Sequence, residues 1–72
     1  RMAEATFVIE SYDKFTDELY REYYLTKEEM IKGLHAMSIR EDWAHAEQRI
    51  EKLLVDGEIA EGYEYIKVSM IG

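Results

Sequence analysis

The chain contains neither cysteine nor proline. Without cysteine no disulfide can brace the fold and no thiolate can hold a metal, and the absence fits a reducing compartment. Glycine is sparse, at Gly33, Gly57, Gly62 and Gly72. No linker, repeat or low-complexity stretch divides the sequence, so continuous structure with short connections is expected. No apolar run approaches the ~18–20 residues that a membrane-spanning helix requires. The start, Arg1-Met2-Ala3-Glu4, has an early acid and no apolar h-region, so a signal peptide is not expected. Arg1 ahead of Met2 reads as a cloning remnant, and a cytoplasmic location follows as the default.

What is present narrows the reading further. Seventy-two residues fill one core and not two, so residues 1–72 form a single domain. A domain of this size buries only about 60% of the surface its unfolded chain exposes. The 47% apolar content supplies the one core. Sixteen acids stand against nine bases, a net charge of −7. Such a field repels nucleic-acid phosphates and anionic membranes and attracts basic protein surfaces.

Along the chain, TFVIE at residues 6–10 is β-branched and aromatic and reads as a short strand or extended arm. From Tyr12 the period becomes helical: Tyr12, Phe15, Leu19, Tyr20 and Tyr23 share one face, with Ser11 as N-cap, predicting a first helix to residue 24. Thr26-Lys27-Glu28-Glu29 is a capping box, with Leu25 and Met30 at the staple positions. It opens a second helix to residue 37, with Met30, Ile31, Leu34 and Met37 inward. Gly33 within it costs about 1 kcal/mol relative to alanine, which a close helix–helix approach would offset.

Ser38-Ile39-Arg40-Glu41 repeats the capping grammar and predicts a third helix to Asp56-Gly57. Ile39, Trp43, Ala46, Ile50 and Leu53 form its inward stripe, with Trp43 as core anchor. Residues 58–60 and 63–68 then alternate as a hairpin about Glu61-Gly62.

Residues 25–68, LTKEEMIKGLHAMSIREDWAHAEQRIEKLLVDGEIAEGYEYIKV, resemble the winged helix-turn-helix family. Leu25-Thr26 opens the second helix, Ser38 caps the third, and Ile50, Leu53, Leu54, Gly57 and Ile59 lead into the wing. The resemblance implies an α+β, mostly helical fold: three helices, a C-terminal β-hairpin wing and a short N-terminal strand. It also implies DNA binding, with the third helix in the major groove. Arg40, Gln48, Arg49, Lys52 and Lys67 would carry those contacts. Charge opposes this. The outward side of the third helix and its flanks mix four acids with three bases, and the wing adds Lys67 against Glu58, Glu61 and Glu64.

Chemistry of other kinds has little support. His35 and His45 are the only histidines. A helical site of Glu41, Asp42 and His45 is outweighed by a plain i, i+4 surface pair. No phosphate loop, nucleophile elbow or isolated carboxylate pair occurs. Neither an enzyme nor a cofactor is expected. Tyrosines bounded by acids suit a protein interface, with Tyr24, Glu41, His45, Tyr63 and Tyr65 as contact residues; bracing of a small core by half-buried tyrosines is an equal alternative. Two hypotheses follow. One is a DNA-associated regulator acting as a dimer or inside a complex. The other is an interaction module that docks on a basic protein or imitates DNA, as small acidic proteins of phages and mobile elements do. The family's commonest role places the first slightly ahead, and charge favours the second.

Overall fold

The computed structural model describes residues 6–71; Arg1, read above as a cloning remnant, lies outside them. Strand β1 (Thr6–Asp13) turns back into β2 (Glu18–Tyr24). Helices α1 (Lys27–Arg40) and α2 (Ala46–Asp56) follow, and β3 (Glu58–Glu61) and β4 (Glu64–Ile71) close the chain as a second hairpin. The four strands form one antiparallel sheet in the order β2-β1-β4-β3. Both helices lie on one face of it.

This overturns the three-helix winged fold. The segment expected as a first helix is the β1–β2 hairpin, paired residue for residue from Phe7 opposite Tyr24 to Asp13 opposite Glu18. The turn is built without glycine. The Asp13 carboxylate accepts from the Phe15 and Thr16 amides, and Asp17 takes the left-handed conformation at φ 62°, an Asx arrangement that aspartate tolerates better than most residues. Tyr20 and Tyr23, expected in a core stripe, are each 60% exposed. The residues 6–10 strand is present and extends to Asp13.

Helix α1 starts as expected, with the Thr26 hydroxyl accepting from the Glu29 amide at 3.1 Å. Met30, Leu34 and Met37 face the sheet, while Leu25 stays exposed. The helix then runs through Ser38, which caps nothing. Its hydroxyl donates to the His35 carbonyl from inside the last turn. The expected third helix is thereby shortened to α2, and Ile39, placed in its inward stripe, is 81% exposed. Asp42 and His45 adopt positive φ, 54° and 55°, and break the chain between the helices. Trp43 is buried as expected, although it sits in this break and not on a helix. Gly57 ends α2 in the left-handed conformation, its amide donating to the Leu53 carbonyl. The β3–β4 hairpin lies close to its expected place.

Strand alternation assigns the two faces of the sheet. Ile9, Ile59 and Ile66 point at the helices and join Met30, Leu34, Met37, Trp43, Ile50 and Leu53 in the core. Gly33 does permit a close approach, but of a side chain: a Cβ there would overlap the Tyr24 ring, 2.6 Å from Cζ. The outer face carries a row of cross-strand neighbours, Glu58, Lys67, Glu10 and Arg21. Its charges alternate in sign, and Arg21 reaches Glu10 at 2.7 Å. No helix among the described residues is long and apolar enough to cross a membrane.

Candidate functional site

Tyrosine next to carboxylate is the recurring motif of the surface. Tyr12 donates to Asp17 (2.5 Å), Tyr20 to Glu18 (3.3 Å), Tyr24 to Glu22 (2.7 Å) and Tyr65 to Glu58 (2.5 Å). Local backbone geometry produces these pairs. In a strand, residues two apart share a face, so Glu18 with Tyr20 and Glu22 with Tyr24 meet along β2. Tyr12 reaches over its own turn, and Tyr65 crosses from β4 to β3. Each acid holds its phenol protonated. The hydroxyl pKa of Tyr12 is raised by its bond to Asp17, that of Tyr20 by the charge of Glu18, and that of Tyr65 by its bond to Glu58. Burial, followed by the bond to Glu22, pushes Tyr24 up to about 12.

A cleft of about 420 Å³ runs between the inner side of β2 and the C-terminal end of α1. Ile9 and Met37 give it an apolar floor beside the buried Ser11, and Tyr20, Glu22, Arg40 and Glu41 stand around it. Behind Glu41 the Glu64 carboxyl is pushed up by burial and by the Glu41 carboxylate, against the pull of Arg49. Arg49 stacks over Trp43 at 4.4 Å and lies 3.5 Å from both Glu61 and Glu64.

The residues proposed for DNA contact do not share a surface. Gln48, Arg49 and Lys52 do line one groove, between α2 and β3, together with His45 and Glu61. Arg49 is turned inward to Trp43, its side chain 17% exposed, and Lys52 is tied to Asp56 at 2.8 Å. Lys67 lies on the opposite face of the sheet, between Glu58 and Glu10, and Arg40 is at the β2 cleft.

The proposed protein-contact residues are also spread. Tyr24 lays its ring against Gly33 in the middle of α1, and Glu41 is the helix's C-cap. His45 opens α2. Tyr63 is at the hairpin tip, its ring 5.4 Å from that of Phe15, and Tyr65 is on the outer sheet face. Among the described residues no three His, Asp or Glu side chains converge as a metal site would need. Reading β2 as a helix hid the cleft, and with it Ile9, Ser11, Tyr20 and Met37. The signal for it was the alternation of Leu19, Arg21 and Tyr23 with Tyr20, Glu22 and Tyr24. No protein family, curated protein or solved structure matches the chain.

Proposed function

We propose that the protein is a docking module for a basic protein partner and carries out no chemistry of its own. The observation that supports this reading is the recurrence of exposed tyrosine–carboxylate pairs on both faces of the sheet, Tyr12–Asp17 and Tyr65–Glu58 on the outer face and Tyr20–Glu18 beside the cleft on the inner. An aromatic ring beside a carboxylate suits arginine and lysine, whose apolar stems pack on the ring while the cation meets both the π face and the acid. The net charge of −7 adds long-range attraction to such a partner. Duplex DNA finds the reverse: Arg49, Lys52 and Lys67 each stand beside acids of their own chain and have little charge left for phosphates. Proteins that themselves bind nucleic acid, with arginine-rich surfaces, belong to the class of partner this arrangement suits.

Fluorescence anisotropy at low salt tests the reading, with an oligoarginine peptide and a labelled DNA duplex as alternative probes. The peptide should bind and weaken about tenfold or more as salt rises from about 50 to 500 mM. The duplex should not bind. Duplex binding with a steep salt dependence, and none to the peptide, would return the assignment to DNA.

A further inference from the structure

Strand β2 ends the sheet, and among the described residues no strand lies beyond it. An edge strand presents a row of main-chain donors and acceptors to any chain that can lie alongside, and proteins usually blunt such edges with charges, lysine above all, with proline, a bulge or short length. The charges of β2 are Glu18, Arg21 and Glu22, with Arg21 tied to Glu10, so what guards this edge is mainly acidic and repels acidic chains more than basic ones. The strand is seven residues long, holds neither lysine nor proline, and pairs with β1 without interruption. All of it but Tyr24 is exposed. The opposite edge differs in length, since β3 has only four residues.

The chemistry around β2 selects what could lie there. Asp13, Asp17, Glu18 and Glu22 are on the edge or its turn against two bases, Lys14 and Arg21, of which Arg21 is committed to Glu10. On the inner side, the cleft offers Ile9 and Met37 as an apolar floor and Glu22 and Glu41 as charge, with Arg40 opposing them. Its shape and chemistry suit a long aliphatic stem ending in a cation.

We propose that β2 receives an extended basic segment of a protein partner as an added antiparallel or parallel strand, with one arginine or lysine side chain laid into the cleft between Tyr20, Glu22 and Glu41. The proposal rests on the docking reading above and supplies its place and mode. Main-chain pairing provides affinity that is independent of side chains, and the cleft provides the preference for a cation. A second copy of this chain fits less well. Any two-fold pairing of β2 edges joins two chains of charge −7, and the registers centred on Arg21 or Glu22 also set like charges directly opposite.

The test follows amide hydrogen exchange of the whole chain with a peptide of about nine residues that alternates valine with lysine around a central arginine. Poly-L-lysine serves as a probe of charge alone. The expected result is new protection at residues 18–24 with β3 unchanged. Methylating alternate peptide nitrogens should weaken binding about tenfold or more, since it removes strand pairing and keeps the charge. Glu22→Gln should weaken it about three- to tenfold and Arg40→Gln should strengthen it, a pair of opposite signs that general charge loss through misfolding does not produce. Thermal melts confirm that both variants fold.

If the methylated peptide binds as well as its parent, or protection appears elsewhere, edge addition is wrong while docking on basic proteins stands. If neither peptide nor poly-L-lysine binds at low salt, both readings fall. Protection of β2 that grows with protein concentration and needs no peptide would assign the edge to a second copy and overturn the proposal.

Discussion

The guanidinium of Arg49 lies 4.4 Å from the centre of the Trp43 ring, and this stack closes the core where the interhelical loop meets α2. It joins a residue from the helix break to one from the helix that follows. Replacing Arg49 with alanine removes both the cation and the stem covering the indole. A loss of about 1–2 kcal/mol is expected, with a red shift of Trp43 emission. Arg49→Met keeps the cover and should lose less. Urea unfolding of the two variants measures the difference, and an unchanged midpoint for Arg49→Ala would show the stack to be energetically idle.

Burial and the Glu41 carboxylate raise the Glu64 pKa, so the fold favours the protonated form. This contribution to stability is complete below the ordinary carboxylate value of 4.5 and is lost as pH rises through the higher folded value. Glu64→Gln and Glu41→Gln should each melt higher than the parent at about pH 7, by about half a kcal/mol or less after solvent screening, and match it near pH 4. A lower melting point for Glu64→Gln at neutral pH would mean that its pairing with Arg49 outweighs the repulsion.

Alanine at position 33 gains about 1 kcal/mol of helix propensity and must push the Tyr24 ring aside. The two effects should nearly cancel in stability. They separate in titration. Freed from burial, the Tyr24 hydroxyl should fall from about 12 toward the usual 10.0, visible in the ultraviolet absorbance of the phenolate. In a Tyr24→Ala background the same Gly33→Ala change should stabilise by about 1 kcal/mol.

His45 starts α2 in the left-handed region with no side-chain cap bond. Glycine there relieves the conformational cost, so His45→Gly should raise stability by about 0.5–1 kcal/mol in chemical denaturation. A loss of that size would reveal a contact of the imidazole that outweighs the backbone gain.

Ile39 separates the two architectures in one measurement. On the inward stripe of a third helix, Ile39→Lys would be ruinous; at 81% exposure it should cost about 0.5 kcal/mol or less. Leu53→Ala, at a fully buried site, should cost about 2–5 kcal/mol in the same assay.

The two misread segments share one cause. Residues 12–24 and 38–56 carry apolar side chains at helical spacing, and each is interrupted by a left-handed aspartate, Asp17 or Asp42, where a glycine would have announced the break. Aspartate reaches that conformation at modest cost and is far more common as a surface charge, so its presence in a charged segment carries little warning. Tyrosine compounds the ambiguity. Leu19, Tyr20, Tyr23 and Tyr24 satisfy a helical face as readily as the two faces of a half-exposed strand. The second capping box failed for a related reason: Ser38 had a carbonyl to bond within α1, at His35, and so had no need to start a new helix.

The acidic surplus was settled by composition alone, and the Thr26 cap, the Gly57 stop and the closing hairpin by local sequence, because each of these three depends on residues within a few positions of one another. Pairing β1 with β4, covering one sheet face with both helices and leaving β2 at the edge of the sheet among the described residues were settled only in three dimensions. Those arrangements depend on which apolar surfaces bury one another across some fifty residues of chain, a competition between whole packings that no local pattern records.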